Sequence, residues 1–443
     1  MNFSGTHNKI LIGCSFLLSG FLSGCGSSSD SGSAASHQSL SSFSSQSSLA
    51  SSQASSAATV TRENSGADCA IPALDDFAAL TVIAGLPDPF LSLDGTRITR
   101  KSDWRCRRAE IAAQAQVYEL GEKPSAPQTV SGNINGDSLR VTIEENGKTI
   151  EFDAQIILPK TGSAPYPAVI GIGQSFLQND ELLSRGVALI NFPNNALAEQ
   201  VNGASRGKGS FYDIYGSDHS AGAMMAWAWG VSRLIDALES TDGSQINPAR
   251  LGVTGCSRNG KGALIAGAFD ERIALTIPQE SGSGGAASWR VSDAQVAAGQ
   301  NVQTLRQIVT ENVWLAEDFA RFSESATKLP FDHHSIMAMV APRGLLVIEN
   351  TSMEWLGNES TYTASLAARE IFTAMGIADR MGISQIGDHG HCQLPDSQVP
   401  ELRAFVDKFL LDNAEADTQV VKTDGEFSVD RERWIEWETP VLQ

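Results

Sequence analysis

The run Leu251-Gly252-Val253-Thr254-Gly255-Cys256-Ser257-Arg258-Asn259-Gly260-Lys261-Gly262-Ala263 constrains this chain more than any other stretch. Apolar residues end in Gly-Cys-Ser, and a small-residue pattern with helical spacing follows at once through Leu264, Ile265 and Ala266. Strand, sharp turn and helix in that order are the layout of a nucleophile elbow, which lifts a serine hydroxyl above the end of a sheet. The usual spacing is G-x-S-x-G. Here Asn259 stands in the second glycine's place, and Gly260 comes one position later. Asparagine tolerates unusual backbone angles better than most residues, so the turn remains feasible. Taken alone, Ser257 is either a nucleophile or a buried serine at a strand end.

The surrounding pattern supports the first reading. Apolar runs at 167–173, 187–192, 251–256, 273–279, 344–349 and 382–386 read as strands, with helical sequence between them. One of the intervening segments, 219–238, places Met225, Trp229, Leu234 and Leu238 on one face of a long amphipathic helix. Upstream, 104–120 reads as helix. The stretch 128–159 reads as strands, with alternation at Ile150, Phe152, Ala154 and Ile156. Regular alternation of strand and helix predicts an α/β class three-layer sandwich, with a mostly parallel central sheet. An elbow on such a sheet makes it an α/β-hydrolase fold.

The N-terminus sets the compartment. Lys9 precedes an apolar run from Ile10 to Leu22, and that run ends in Leu22-Ser23-Gly24-Cys25. A basic start and a short apolar region make an export signal. Its end resembles the bacterial lipobox, which implies lipidation of Cys25 and an anchor in a membrane. The next residues are mostly serine, alanine and glutamine, too poor in apolar side chains to form a core. The expected organisation is therefore 1–25 lipoprotein signal, 26–66 flexible linker and 67–443 catalytic domain. The protein is expected to leave a bacterial cell and stay on its envelope as a monomer, or to be secreted. A net charge of -19 argues against nucleic acid as a partner.

An α/β-hydrolase needs a histidine after the nucleophile. His333 and His334 precede an apolar helical segment, where capping or packing is expected of them. His389 and His391 lie in Gly387-Asp388-His389-Gly390-His391-Cys392, a glycine-rich loop after the last expected strand. Cys256 precedes Ser257 and Cys392 follows His391. A bridge between these cysteines would tie the elbow to the histidine loop, and it selects His391 as the base. The acid stays open at this point. Glu280 closes the strand after the elbow, while Glu349, Glu354 and Glu359 follow the next core strand.

The run Gly255-Cys256-Ser257-Arg258-Asn259-Gly260 resembles the signature of the glucuronoyl esterases, carbohydrate esterase family 15. The resemblance extends to Leu86-Pro87-Asp88-Pro89-Phe90, Pro278-Gln279-Glu280-Ser281-Gly282, Phe331-Asp332-His333-His334 and His391-Cys392, and it spans Cys69 to the C-terminus. It implies a serine esterase with no metal or cofactor. Its substrate would be the ester between 4-O-methyl-D-glucuronic acid of glucuronoxylan and a lignin alcohol. It implies Ser257 as nucleophile, His391 as base, Glu280 as acid with Glu354 a weaker alternative, and Arg258 as an oxyanion donor. Lys261, Gln303, Glu311 and Trp355 match the family's sugar-binding positions; Gln303 and Glu311 fall in a stretch read as helical, 301–322. The family's disulfides match Cys69 with Cys106 and Cys256 with Cys392. Two rival readings are an acetyl xylan or feruloyl esterase of the same fold, and a non-catalytic, surface-tethered polysaccharide-binding lipoprotein.

Overall fold

A computed structural model of the chain describes residues 61–443. The signal-like start, Cys25 and the linker up to residue 60 lie outside the described residues. The last linker residues are already packed. Glu63 pairs with Lys123 and Arg233, and Ser65 donates to Glu271. The folded body therefore begins ahead of the expected boundary at 67. Buried Lys123 and Arg233 need a counter-charge, which Glu63 supplies.

The described residues form one ten-stranded sheet. Its strands are β1 (Thr129–Asn135), β2 (Ser138–Glu145), β3 (Lys148–Ile157), β4 (Tyr166–Ile172), β5 (Ala188–Phe192), β6 (Ile246–Cys256), β7 (Ile273–Gln279), β8 (Gly344–Glu349), β9 (Met381–Gln385) and β10 (Val421–Thr423). They lie in the order β1-β2-β3-β5-β4-β6-β7-β8-β9-β10. The first three pair antiparallel and join β5 antiparallel. Every later neighbour is parallel. Along β3, burial alternates residue by residue, as expected where one sheet face meets solvent. β8 is buried throughout, as a strand covered on both faces must be.

Period-two alternation sorts the strand residues between two apolar layers. Ile170, Val253 and Val347 face a core shared with the helices Ala223–Ser240, Arg258–Phe269 and Asn358–Ala374. Their neighbours Val169, Leu346 and Ile348 face the opposite core, closed by Leu402, Phe405 and Val406 of the helix Val399–Phe409. This is the expected three-layer α/β-hydrolase sandwich. The histidines His333 and His334 are both fully buried. His333 bonds Glu119 and the Gly285 carbonyl, and His334 bonds the Pro87 carbonyl.

Three expectations change. The long helix starts at Ala223 rather than 219, because Gly222 is extended and the Gly222, Ala223 and Met224 N–H groups donate to the Leu120, Val313 and Trp314 carbonyls. It is also buried on nearly every side through Ile235 instead of presenting one polar face. The stretch 301–322 is not one helix. Thr304 and Gln307 form a capping box that starts the helix Leu305–Glu311, and Asn312, in extended conformation, ends it. A 3₁₀ segment, Glu317–Phe322, follows. Gln303 therefore lies in extended chain ahead of the helix. Among the described residues, no helix is long and apolar enough to cross a membrane.

Candidate active site

β6 ends at Cys256, the helix begins at Arg258, and Ser257 occupies the corner with φ +59° and ψ -128°. A non-glycine residue there is strained by about 1–3 kcal/mol, and it persists because its surroundings over-determine it. The constraints are visible. The Ser257 N–H donates to the Gln279 carbonyl at 2.9 Å, and the Lys261 N–H donates to the Ser257 carbonyl at 3.0 Å. The displaced glycine of the motif also finds its reason. A Cβ on Gly255 would lie 2.3 Å from the Asn259 carbonyl, and one on Gly260 would lie 2.6 Å from the Gln279 carbonyl. Those two positions must be glycine; position 259 need not be.

Two disulfides join Cys69 to Cys106 and Cys256 to Cys392. The second ties the residue before Ser257 to the residue after His391. It brings a ring nitrogen of His391 within 4.8 Å of both bridging sulfurs. His391 Nδ1 lies 2.6 Å from Glu280 Oε2, and the Cys392 N–H donates to the same oxygen at 3.0 Å. Glu280 is fully buried at the end of β7, while the His391 side chain keeps 29% of its surface exposed. A buried acceptor behind a partly open imidazole leaves the ring's far edge free for proton transfer. Of seven non-glycine residues with positive φ among the described residues, four lie at the elbow, at the end of β7 and in the histidine loop: Ser257, Glu280, Asp388 and Cys392. Such concentrated strain is the mark of a built site.

The other carboxylates go elsewhere. Glu354 is exposed and accepts from the Asn301 N–H at 3.1 Å. Glu349, buried at the end of β8, uses Oε1 to accept from the Ser281 and Gly282 N–H groups at 2.9 and 3.2 Å. Burial, with Glu280 nearby, pushes the Glu349 carboxyl up to about 8. His389 sits beside His391 but spends Nε2 on the Ile386 carbonyl and receives Asn350 Nδ2 at Nδ1.

Contacts link most of the remaining expected residues, since Lys261 and Gln303 both meet Ser283, and Gln303 meets Trp355 and Glu311. Lys261, buried on the first helical turn, donates to the Ser281 and Ser283 carbonyls at 2.5 and 2.7 Å. Burial lowers its ammonium to about 8. Trp355 meets His391 edge to face with centroids 4.9 Å apart, and its carbonyl accepts from the Gln303 N–H. Gln303 Nε2 donates to Glu311 Oε2 at 3.2 Å, and Glu311 is exposed. Arg258 is exposed at the helix N-terminus, its guanidinium 5.6 Å from the centroid of Trp314. Trp314 was not foreseen. Its position in a supposed continuous helix hid it, and only the break at Asn312 turns it inward.

A family model described as glucuronyl esterase, fungi, matches residues 141–376. The chain is 48% identical over 377 residues to a 4-O-methyl-glucuronoyl methylesterase of Hypocrea jecorina, covering 85% of this chain and 80% of that protein. Its structure is similar to the glucuronoyl esterase catalytic domain from Hypocrea jecorina, with a TM-score of 0.81, 47% identity and coverage of 84% of this chain and 100% of that one. It is also similar to a mutant glucuronoyl esterase from Sporotrichum thermophile in complex with methyl 4-O-methyl-beta-D-glucopyranuronate. That match has a TM-score of 0.80 and 44% identity, covering 85% of this chain and 100% of the other. The family model is the fungal one, and these relatives lend no support to a bacterial envelope lipoprotein anchored through Cys25.

Proposed function

The chain belongs to the glucuronoyl esterases, carboxylic ester hydrolases on the α/β-hydrolase fold, and from that membership we propose that it cleaves the ester between 4-O-methyl-D-glucuronic acid of glucuronoxylan and a lignin alcohol. The single observation that carries the mechanistic part is the approach of His391 Nδ1 to Glu280 Oε2 beside the Cys256–Cys392 bridge. His391 takes the proton of the Ser257 hydroxyl, and the oxygen attacks the uronate carbonyl. Glu280 holds the imidazole in the tautomer that accepts at its far nitrogen and stabilises the imidazolium that forms. The negative oxygen of the tetrahedral intermediate meets backbone N–H groups at the start of the elbow helix and the Arg258 guanidinium. The alcohol departs with the proton from His391. Water then hydrolyses the glucuronoyl-enzyme by the same path in reverse.

Lys261, Gln303, Glu311 and Trp355 form the wall that receives the sugar in this reading. A flat indole beside His391 suits packing on a pyranose ring, and Gln303 with Glu311 supplies polar groups for ring hydroxyls. The folded unit from about residue 61 is the catalytic domain. The two disulfides support action in an oxidising compartment outside the cell. The test is a side-by-side measurement of kcat/KM on a 4-O-methyl-glucuronate ester, acetylated xylan and a feruloyl ester. The uronate ester should be preferred; equal or better rates on acetylated xylan or the feruloyl ester would overturn the assignment.

A further inference from the structure

The oxyanion role proposed for Arg258 requires that an exposed, flexible side chain be held in one place. We propose that Trp314 and Gln200, anchored to the elbow by Asn259, are positioning residues that hold the Arg258 guanidinium over the nucleophile; the proposal rests on the reading of Ser257 as nucleophile and Arg258 as oxyanion donor.

The relay is a closed circuit of side chains. Trp314 is almost fully buried, and its indole Nε1 donates to Gln200 Oε1 at 2.8 Å. An indole nitrogen is a donor only, so the oxygen end of Gln200 must face it. The amide nitrogen of Gln200 is thereby turned to Asn259 Oδ1, at 3.3 Å. Asn259 Oδ1 accepts a second bond from Asn194 Nδ2 at 3.3 Å, so its own orientation is set twice. The Gln200 backbone is pinned as well, because its carbonyl accepts from Asn312 Nδ2 at 2.9 Å. Every amide in the chain has one orientation that satisfies its neighbours, and the chain ends on the ring beneath Arg258.

Two features give the relay a purpose beyond packing. Asn259 occupies the place where the usual elbow has glycine, and it is adjacent in sequence to Arg258. The close approaches that demand glycine fall at Gly255 and Gly260, which leaves the side chain at 259 available. Secondly, the ring serves Arg258 and Lys261 unequally. Lys261 Nζ lies 5.9 Å from the Trp314 centroid but is also fixed by the Ser281 and Ser283 carbonyls. Arg258 is exposed, and its Cζ lies 5.6 Å over the same ring, a cation–π contact. Loosening Trp314 should therefore move Arg258 and leave Lys261 in place. That predicts a loss in the chemical step and not in sugar binding.

The experiment is a double-mutant cycle on the full chain with the methyl ester of 4-O-methyl-glucuronic acid. Gln200→Met breaks both bonds of the relay without touching the ring. It should lower kcat by about tenfold with KM within about twofold, since misplacing an oxyanion donor costs the transition state alone. In an Arg258→Ala background the same change should alter kcat by less than about twofold, because the group it positions is gone. Trp314→Phe keeps a ring face but cannot bond Gln200, and it should repeat the pattern if Gln200→Met folds poorly. A kcat loss of equal size in both backgrounds would overturn the proposal, as would an unchanged kcat in Gln200→Met when Arg258→Ala is impaired. An unimpaired Arg258→Ala enzyme would remove the oxyanion reading itself, and the relay with it.

Discussion

His391 Nδ1 and Glu280 Oε2 stand 2.6 Å apart, and the carboxylate that makes this contact is fully buried at the end of β7. The carboxylate that meets His391 therefore comes from the strand next to the elbow strand, and in the proposed mechanism it is the acid. Glu280→Gln should lower kcat on a 4-O-methyl-glucuronate ester by roughly 10³–10⁴-fold, the scale seen when a triad acid becomes an amide. Glu354→Gln, whose carboxylate meets the Asn301 amide instead, should change kcat by less than about twofold. Steady-state rates of the two variants decide the matter, and the reverse ranking would place the acid after β8.

The two disulfides should differ in what they protect. Cys256–Cys392 closes 136 residues and joins the elbow to the histidine loop, whereas Cys69–Cys106 closes 37 residues and ties the start of the folded chain to the helix Trp104–Ala115. Replacing either pair by alanine should cost about 2–5 kcal/mol of stability. Only loss of Cys256–Cys392 should also lower kcat in protein that remains folded, because only that bridge joins the segments that carry the proposed nucleophile Ser257 and the proposed base His391. Thermal melts and rates below the melting point, measured on both double variants, test this. Equal kcat losses would refute the special role of the central bridge.

Glu311 should act on binding. Its exposed carboxylate accepts from Gln303 Nε2, and the proposed reading places it against the sugar. Glu311→Ala removes a charged acceptor for a ring hydroxyl, an interaction of about 1.5–3 kcal/mol, and should raise KM for the uronate ester at least tenfold with little change in kcat. Hydrolysis of a simple aryl acetate should be unaffected. A matching loss on the acetate would mean that Glu311 supports the fold and not the sugar.

Glu349 gives stability a pH dependence. Its carboxyl rises from 4.5 to about 8, mainly through burial. A raised carboxyl is favoured in its neutral form when folded, so its contribution is full below 4.5 and is lost as pH climbs toward about 8. Glu349→Gln keeps an oxygen for the Ser281 and Gly282 amides and cannot ionise. Its Tm should gain on the wild type between pH 5 and pH 8, and a constant difference across that range would contradict the assignment.

The elbow was legible because strand, turn and helix are all local, and the link from the elbow to the histidine loop was legible because a cysteine flanks both Ser257 and His391. Which carboxylate meets His391 was not legible from spacing, since Glu280 and Glu354 both follow core strands and only the folded contact separates them. The relay through Asn259, Gln200 and Trp314 joins three segments distant in sequence, and no spacing rule links such residues. The amphipathic run 301–322 satisfied helical periodicity well enough to hide the break at Asn312, where one extended residue redirects Trp314 to the elbow. Glu63 was missed for a related reason: the serine-rich composition before it reads as solvated chain, while its partners Lys123 and Arg233 lie far downstream.

The most direct test of the whole account is the release of alcohol from a benzyl ester of 4-O-methyl-glucuronic acid by the wild-type enzyme and by Ser257→Ala. The account predicts steady turnover by the wild type and release at the uncatalysed background by the variant. Turnover by Ser257→Ala within about tenfold of the wild type would contradict it, because a nucleophile's removal costs several orders of magnitude.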